Sequence, residues 1–144
     1  MKLGPRSLEK KTIPQLKATA DKECSIFVRL KYSDNGYCEC YTCGKSLPLG
    51  DSNLNAGHFV SRVYGPTRYD WIRNIRPQCF WPCNNKMQGN GRPLEFEKRL
   101  EIDIGKEEVC QLKKDAASKF KYDRFDLIEK IEFFREQIKD LKRG

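Results

Sequence analysis

Two cysteine pairs, Cys40/Cys43 and Cys79/Cys83, flank the only histidine of this 144-residue chain, His58. Nothing else in the sequence restricts the fold so strongly. Four thiolates in two pairs can close a tetrahedral zinc site without an imidazole, which leaves His58 free for other chemistry. Cys40-Tyr41-Thr42-Cys43-Gly44 is a zinc knuckle in sequence form: two intervening residues aim both sulfurs at one ion, and the glycine permits a left-handed or closely approached backbone. Cys79-Phe80-Trp81-Pro82-Cys83 is a looser mate, one residue longer and with a proline inside the turn. Cys38 with Cys43 also brackets a turn, so Cys38 competes with Cys40 as a ligand. Cys24 and Cys110 fall in helical patterns and read as packing residues. Seven cysteines is an odd number, which argues against a closed disulfide framework and for metal ligation in a reducing compartment.

The length suits one domain, or a small core with helical extensions, and a core of that size often needs a metal. The expected class is α+β: a small zinc-stabilised core carrying an N-terminal helix and C-terminal helices. Its regions are a basic helical arm (1–36), the zinc core (37–93) and a helical region (94–144). A helix is expected from Pro14 to about Leu30, with Thr12 or Ile13 as its cap, because Leu16, Ala20, Cys24, Phe27 and Leu30 recur at helical steps. Ser33-Asp34-Asn35-Gly36 should end it. Short strands are expected around Leu47 and from Leu54 to Val60, and a short helix after Cys83 to about Met87. Three further helices should run from Pro93 to about Ile104, from Lys106 to about Ser118, and from Asp123 to about Lys142. Leu127, Ile131, Phe134, Ile138 and Leu141 form a seam of about two heptads on the last one, which suits packing within the chain or, alternatively, a dimer contact.

No apolar run approaches a membrane span and no hydrophobic segment follows Met1–Arg6, so a cytoplasmic protein is expected. The net charge of +8 is uneven. Residues 1–36 hold eight basic and four acidic side chains, residues 37–93 hold seven and three, and residues 94–144 hold thirteen of each. The positive excess therefore accompanies the cysteines, as a polyanion partner such as DNA would require. Arg62, Arg68, Arg73 and Arg76 crowd one short stretch opposed only by Asp70, a pattern suited to gripping phosphates.

Phosphodiester hydrolysis needs an activated water, a cation on the scissile phosphate and a grip on the substrate. His58 suits the first role, and Asn84 can offer an amide oxygen to a hard cation. Asn74 could position His58 by hydrogen bonding. Each asparagine could equally be a cap or turn residue.

These elements occur in the order Cys40-x2-Cys43-Gly44, Ala56-Gly57-His58-Phe59, Arg73-Asn74-Ile75 and Gln78-Cys79…Cys83-Asn84. From Pro14 onward the chain resembles the phage NinG/Rap recombination endonucleases, members of the HNH or ββα-metal nuclease group that includes phage endonuclease VII. The resemblance implies a treble-clef-like ββα-metal core that cuts branched DNA, of Holliday-junction or D-loop type, with Mg²⁺ or Mn²⁺ in the host-cell cytoplasm. By position, His58 matches the general base, Asn74 the central asparagine, and Asn84 the metal-binding residue. Two departures stand out. The second knuckle has one residue more than the usual Cys-x2-Cys, and Gly57 occupies the place where many such enzymes carry a metal-binding aspartate. Asp51, Asp70 or His58 itself could stand in for it. A zinc-containing DNA-binding module without catalysis, or a zinc-held adaptor for proteins, would share much of this pattern.

Overall fold

The structure, a computed structural model, describes residues 5–143. A short helix α1 (Pro5–Glu9) leads into the long α2 (Ile13–Lys31), which starts at a capping box. Thr12 Oγ1 accepts from the Gln15 amide at 3.2 Å, and Gln15 Oε1 accepts from the Thr12 amide at 2.9 Å. Two of the donors that open any helix are thereby satisfied, and Pro14 sits in the first turn where it needs none.

Two antiparallel hairpins follow. In the first, β1 (Tyr37–Glu39) pairs with β2 (Ser46–Pro48) around the first knuckle. In the second, β3 (Leu54–His58) pairs with β4 (Ile75–Cys79), with Leu54 opposite Cys79 and His58 opposite Ile75. The loop joining β3 to β4 includes one 3-10 turn at Gly65–Thr67. The two hairpins touch where the Tyr41 amide donates to the Pro77 carbonyl at 2.9 Å. Neither β1 nor β4 was expected: β1 is only three residues long, and the Ile75-Arg76-Pro77-Gln78-Cys79 run carries a proline and is short. All five residues of β4 are buried, the charged Arg76 and polar Gln78 included, so the strand has no solvent face to match its alternation.

A helical turn at Phe80–Asn84, interrupted by extended backbone at Trp81, precedes the place where a helix was expected. After Asn84 the chain folds into turns instead, tied back by Gly89 N to Pro82 O and Gly91 N to Cys83 O. Gly89 is needed there, since a Cβ would lie 2.4 Å from the Cys83 carbonyl oxygen. Helices α3 (Pro93–Ile104), α4 (Lys106–Ala116) and α5 (Arg124–Arg143) complete the chain close to their expected bounds.

Three apolar clusters hold these pieces. The largest joins Leu16, Ala20, Cys24 and Phe27 of α2 to Leu127, Ile131, Phe134 and Ile138 of α5, with Tyr69 and Ile75 beneath. The α5 seam is thus covered by the chain's own first long helix, and the surface it offered to a dimer is used within the chain. A second cluster surrounds the knuckles. A third packs Phe96 and Leu100 of α3 and Val109 of α4 on Tyr41 and Phe59. Cys24 is buried in the first cluster, where burial pushes its thiol up to about 12, but Cys110 is exposed on α4 and packs nothing. No described helix is long and apolar enough to cross a membrane.

Phe27 is the hub of the α2–α5 contact, edge-on to Trp71 at 4.9 Å and tilted on Phe134 at 5.6 Å. Phe27→Ala should lower unfolding stability by about 3–5 kcal/mol in urea titrations, as expected for an aromatic removed from a closed core.

Candidate metal centre and cleft

The sulfurs of Cys40, Cys43, Cys79 and Cys83 all lie within 4.8 Å of one another. Cys40 to Cys83 and Cys43 to Cys79 each span 3.8 Å. Zinc–sulfur bonds of about 2.3 Å at tetrahedral angles put neighbouring sulfurs about 3.8 Å apart, so the four fit a metal such as zinc. Burial opposes a charge on Cys40, but the Cys79 amide at 3.3 Å and groups of Thr42 and Cys43 outweigh it and bring the thiol down to about 6. Burial and the neighbouring thiols push Cys43 and Cys79 up instead, so a cation would have to displace the protons of those two ligands. Cys38 is excluded from the cluster, because its thiol donates to the Arg29 carbonyl at 3.0 Å. The extra residue of the second knuckle does not spread the sulfurs. The extended backbone at Trp81 absorbs it, and Phe80 and Trp81 are pushed outward.

The metal centre reaches the neighbouring cleft through side chains. Gln78 Nε2 donates to Thr42 Oγ1 and to the Gly91 carbonyl, both at 2.9 Å, and Thr42 Oγ1 lies 3.6 Å from Cys40 Sγ. Gln78 also accounts for Gly57. A Cβ on residue 57 would stand 2.1 Å from Gln78 Oε1, so an aspartate cannot occupy that position unless Gln78 moves.

An open cleft of about 840 Å³ is lined by α2, the second hairpin and the turns after Asn84. His58, Asn84, Asn55, Arg62, Arg68 and Lys86 line it, together with one carboxylate, Asp21. His58 and Asn84 therefore face a shared space. The His58 ring sits at the end of β3 with Nε2 2.9 Å from the Arg68 carbonyl. A carbonyl only accepts, so Nε2 carries the proton and Nδ1 keeps its lone pair. Burial of the ring, helped by the charges of Arg62 and Arg68, brings its pKa from 6.5 to about 4 against the pull of Asp21 and the carbonyl. The imidazole is neutral at physiological pH.

Asn74 does not bond the His58 ring. It is fully buried and stitches the β3–β4 loop: Oδ1 accepts from the Val60 amide at 2.7 Å, and Nδ2 donates to the carbonyls of Val60 and Thr67, each at 3.0 Å. The ring is held instead through Arg68, whose guanidinium donates to both oxygens of Asp21 at 2.9 and 2.5 Å. Asp21 was missed in the sequence because a carboxylate beside the apolar stripe of a helix looks like solvated surface. Asp51 and Asp70 do not line the cleft: Asp51 accepts from the Asn53 amide, and Asp70 holds Arg73.

The four arginines have separate placements. Arg76 is 4% exposed, donates to the carbonyls of Trp71, Ile72 and Ile75, and stacks on Tyr32 and Tyr41. Arg73 is enclosed by Asp70, Glu108 and Asp115. Both guanidiniums serve the fold and neither is presented to a phosphate, contrary to expectation. The sequence spacing could not show which carbonyls and carboxylates would meet them. Arg68 faces the cleft but is bound to Asp21. Arg62 alone among the four is more than half exposed, at 55%, with a loose 3.4 Å contact to Asp21.

The fold and the four-cysteine cluster define a small α+β protein with a site that could hold a metal such as zinc. Residues 3–144 match the family described as Bacteriophage Lambda NinG protein, and the chain belongs to that family, which is linked to phage recombination. No curated protein and no solved structure matches it.

Two measurements check the centre. Stripping the metal with a strong chelator, or Cys40→Ser, should abolish cooperative unfolding of residues 37–92 in hydrogen exchange, with loss of one bound zinc per chain by elemental analysis. Acid should also act through His58. Because its folded pKa is depressed, the unfolded chain binds the extra proton below about 6.5, and stability falls as pH drops from there toward 4. His58→Gln should lose less stability than the wild type between pH 6.5 and 4.5 in paired urea titrations.

Proposed function

We propose that this protein is a metal-dependent endonuclease that hydrolyses phosphodiesters in branched DNA formed during phage recombination, with His58 as general base. The observation that carries the reading is the contact of His58 Nε2 with the Arg68 carbonyl, which leaves the lone pair on Nδ1 of a ring that lines a cleft shared with Asn84 and cationic side chains. Such an imidazole can take a proton from water as the oxygen attacks phosphorus and the P–O bond to the leaving oxygen breaks. A Mg²⁺ or Mn²⁺ ion would polarise the phosphate and the leaving oxygen. Asn84 and Asn55 offer amide oxygens of the kind such an ion takes, and Asp21 is the carboxylate within the same cleft. Arg62 and Lys86 would neutralise the DNA backbone.

The strand–loop–strand order also supports an HNH-type core. His58 ends β3, the buried Asn74 pins the long loop, and Asn84 closes the helical turn that follows β4. A second reading has a specific observation in its favour. Asp21, the cleft's carboxylate, is already bound by arginines, which suits a DNA-binding module without catalysis.

A synthetic four-way junction with Mg²⁺ or Mn²⁺ separates the two. Wild-type protein should cut it, and His58→Ala should slow cutting by about 100-fold or more while binding persists. Undiminished cutting by the variant removes His58 from the mechanism. Binding without scission under either ion supports the module.

A further inference from the structure

We propose that Phe80, which lines the His58 cleft, and its exposed neighbour Trp81 form a stacking platform for unpaired DNA bases. This rests on the DNA reading above and adds a site to it. Both rings are large and apolar, yet Phe80 is 44% and Trp81 51% exposed. The other tryptophan, Trp71, is packed edge-on against Phe27.

The exposure is built rather than incidental. Asn53 grips the backbone of both residues: its carbonyl accepts from the Phe80 amide at 2.7 Å, its Oδ1 accepts from the Trp81 amide at 2.8 Å, and its Nδ2 donates to the Trp81 carbonyl at 3.0 Å. Asn53 is itself fixed by Asp51 Oδ1 at 2.8 Å. On the other side Cys79 and Cys83 clamp the segment to the metal centre. Rings held on so fixed a backbone lose little further freedom when a flat partner lands on them.

The partner's chemistry follows from what surrounds them. Phe80 lines the same cleft as Arg62, Lys86, Met87 and His58. A strand whose phosphates meet those cations brings its bases alongside the rings. Base faces are available only where the duplex is interrupted, at a bulge, a branch point or a single strand. Stacking is tolerant of sequence because every base has a π-face. The platform therefore selects interrupted DNA over continuous duplex without reading bases.

Trp81 reports its own occupancy. Its emission should be quenched by a single-stranded oligonucleotide or a bulged duplex, and far less by an uninterrupted duplex of equal length. Trp81→Ala should weaken binding of the bulged DNA by about tenfold and leave duplex affinity unchanged. Trp81→Phe keeps a stacking face, so it should remove the fluorescence change and keep most of the affinity. Bound zinc, measured for each variant, separates loss of the platform from loss of the knuckle. Full preference for bulged DNA in zinc-loaded Trp81→Ala, or equal quenching by both DNAs, overturns the platform and leaves the nuclease reading standing. Absence of binding to any DNA at low salt overturns both.

Discussion

The convergence of four sulfurs is the constraint on which the rest of this structure depends. The two hairpins are only three and five residues long per strand, too short to hold their register alone. Cys40 follows β1, Cys79 ends β4, and Cys83 lies in the turn after it, so bringing these sulfurs together aligns both hairpins. The same constraint reaches further through Thr42 and Gln78 to Gly91, and through Cys83 to the turns after Asn84. One wall of the cleft is therefore an outgrowth of the metal centre.

The opposite wall has a different origin. It belongs to α2, whose place is set by packing on α5. Asp21 joins the two systems by binding the guanidinium of Arg68, and the carbonyl of that same residue orients His58. Two networks thus end on one ring: apolar packing supplies the carboxylate side, and thiolate chemistry supplies the strand that carries the histidine. The ring's neutrality follows from this enclosure, since burial outweighs the single nearby carboxylate.

Much of this was legible in residue order. The cysteine pairs and the long helices follow from spacing, because ligand geometry and helical periodicity are local rules, whereas the pairing of His58 with Asn84 came from the order of motifs in the family resemblance. Features set by distant partners were not legible. Arg73 and Arg76 look like phosphate ligands until Asp115 and the carbonyls of Trp71 and Ile72 are brought to them. Asn74 was expected to serve the histidine and instead ties the loop. Strand β4 was hidden by being buried on every side, and Gly57 looked like a missing carboxylate until Gln78 was found in its space.

The docking of α2 on α5 has a consequence for how the protein matures. Synthesis delivers α2 before α5, so its apolar stripe has no cover until Phe134 and Ile138 leave the ribosome. A nascent chain could gather its cysteines around metal while Asp21 still lacks a fixed position. Assembly of the cleft is thereby deferred until α5 has been made, and a product truncated before α5 would keep the four cysteines with an unfinished pocket.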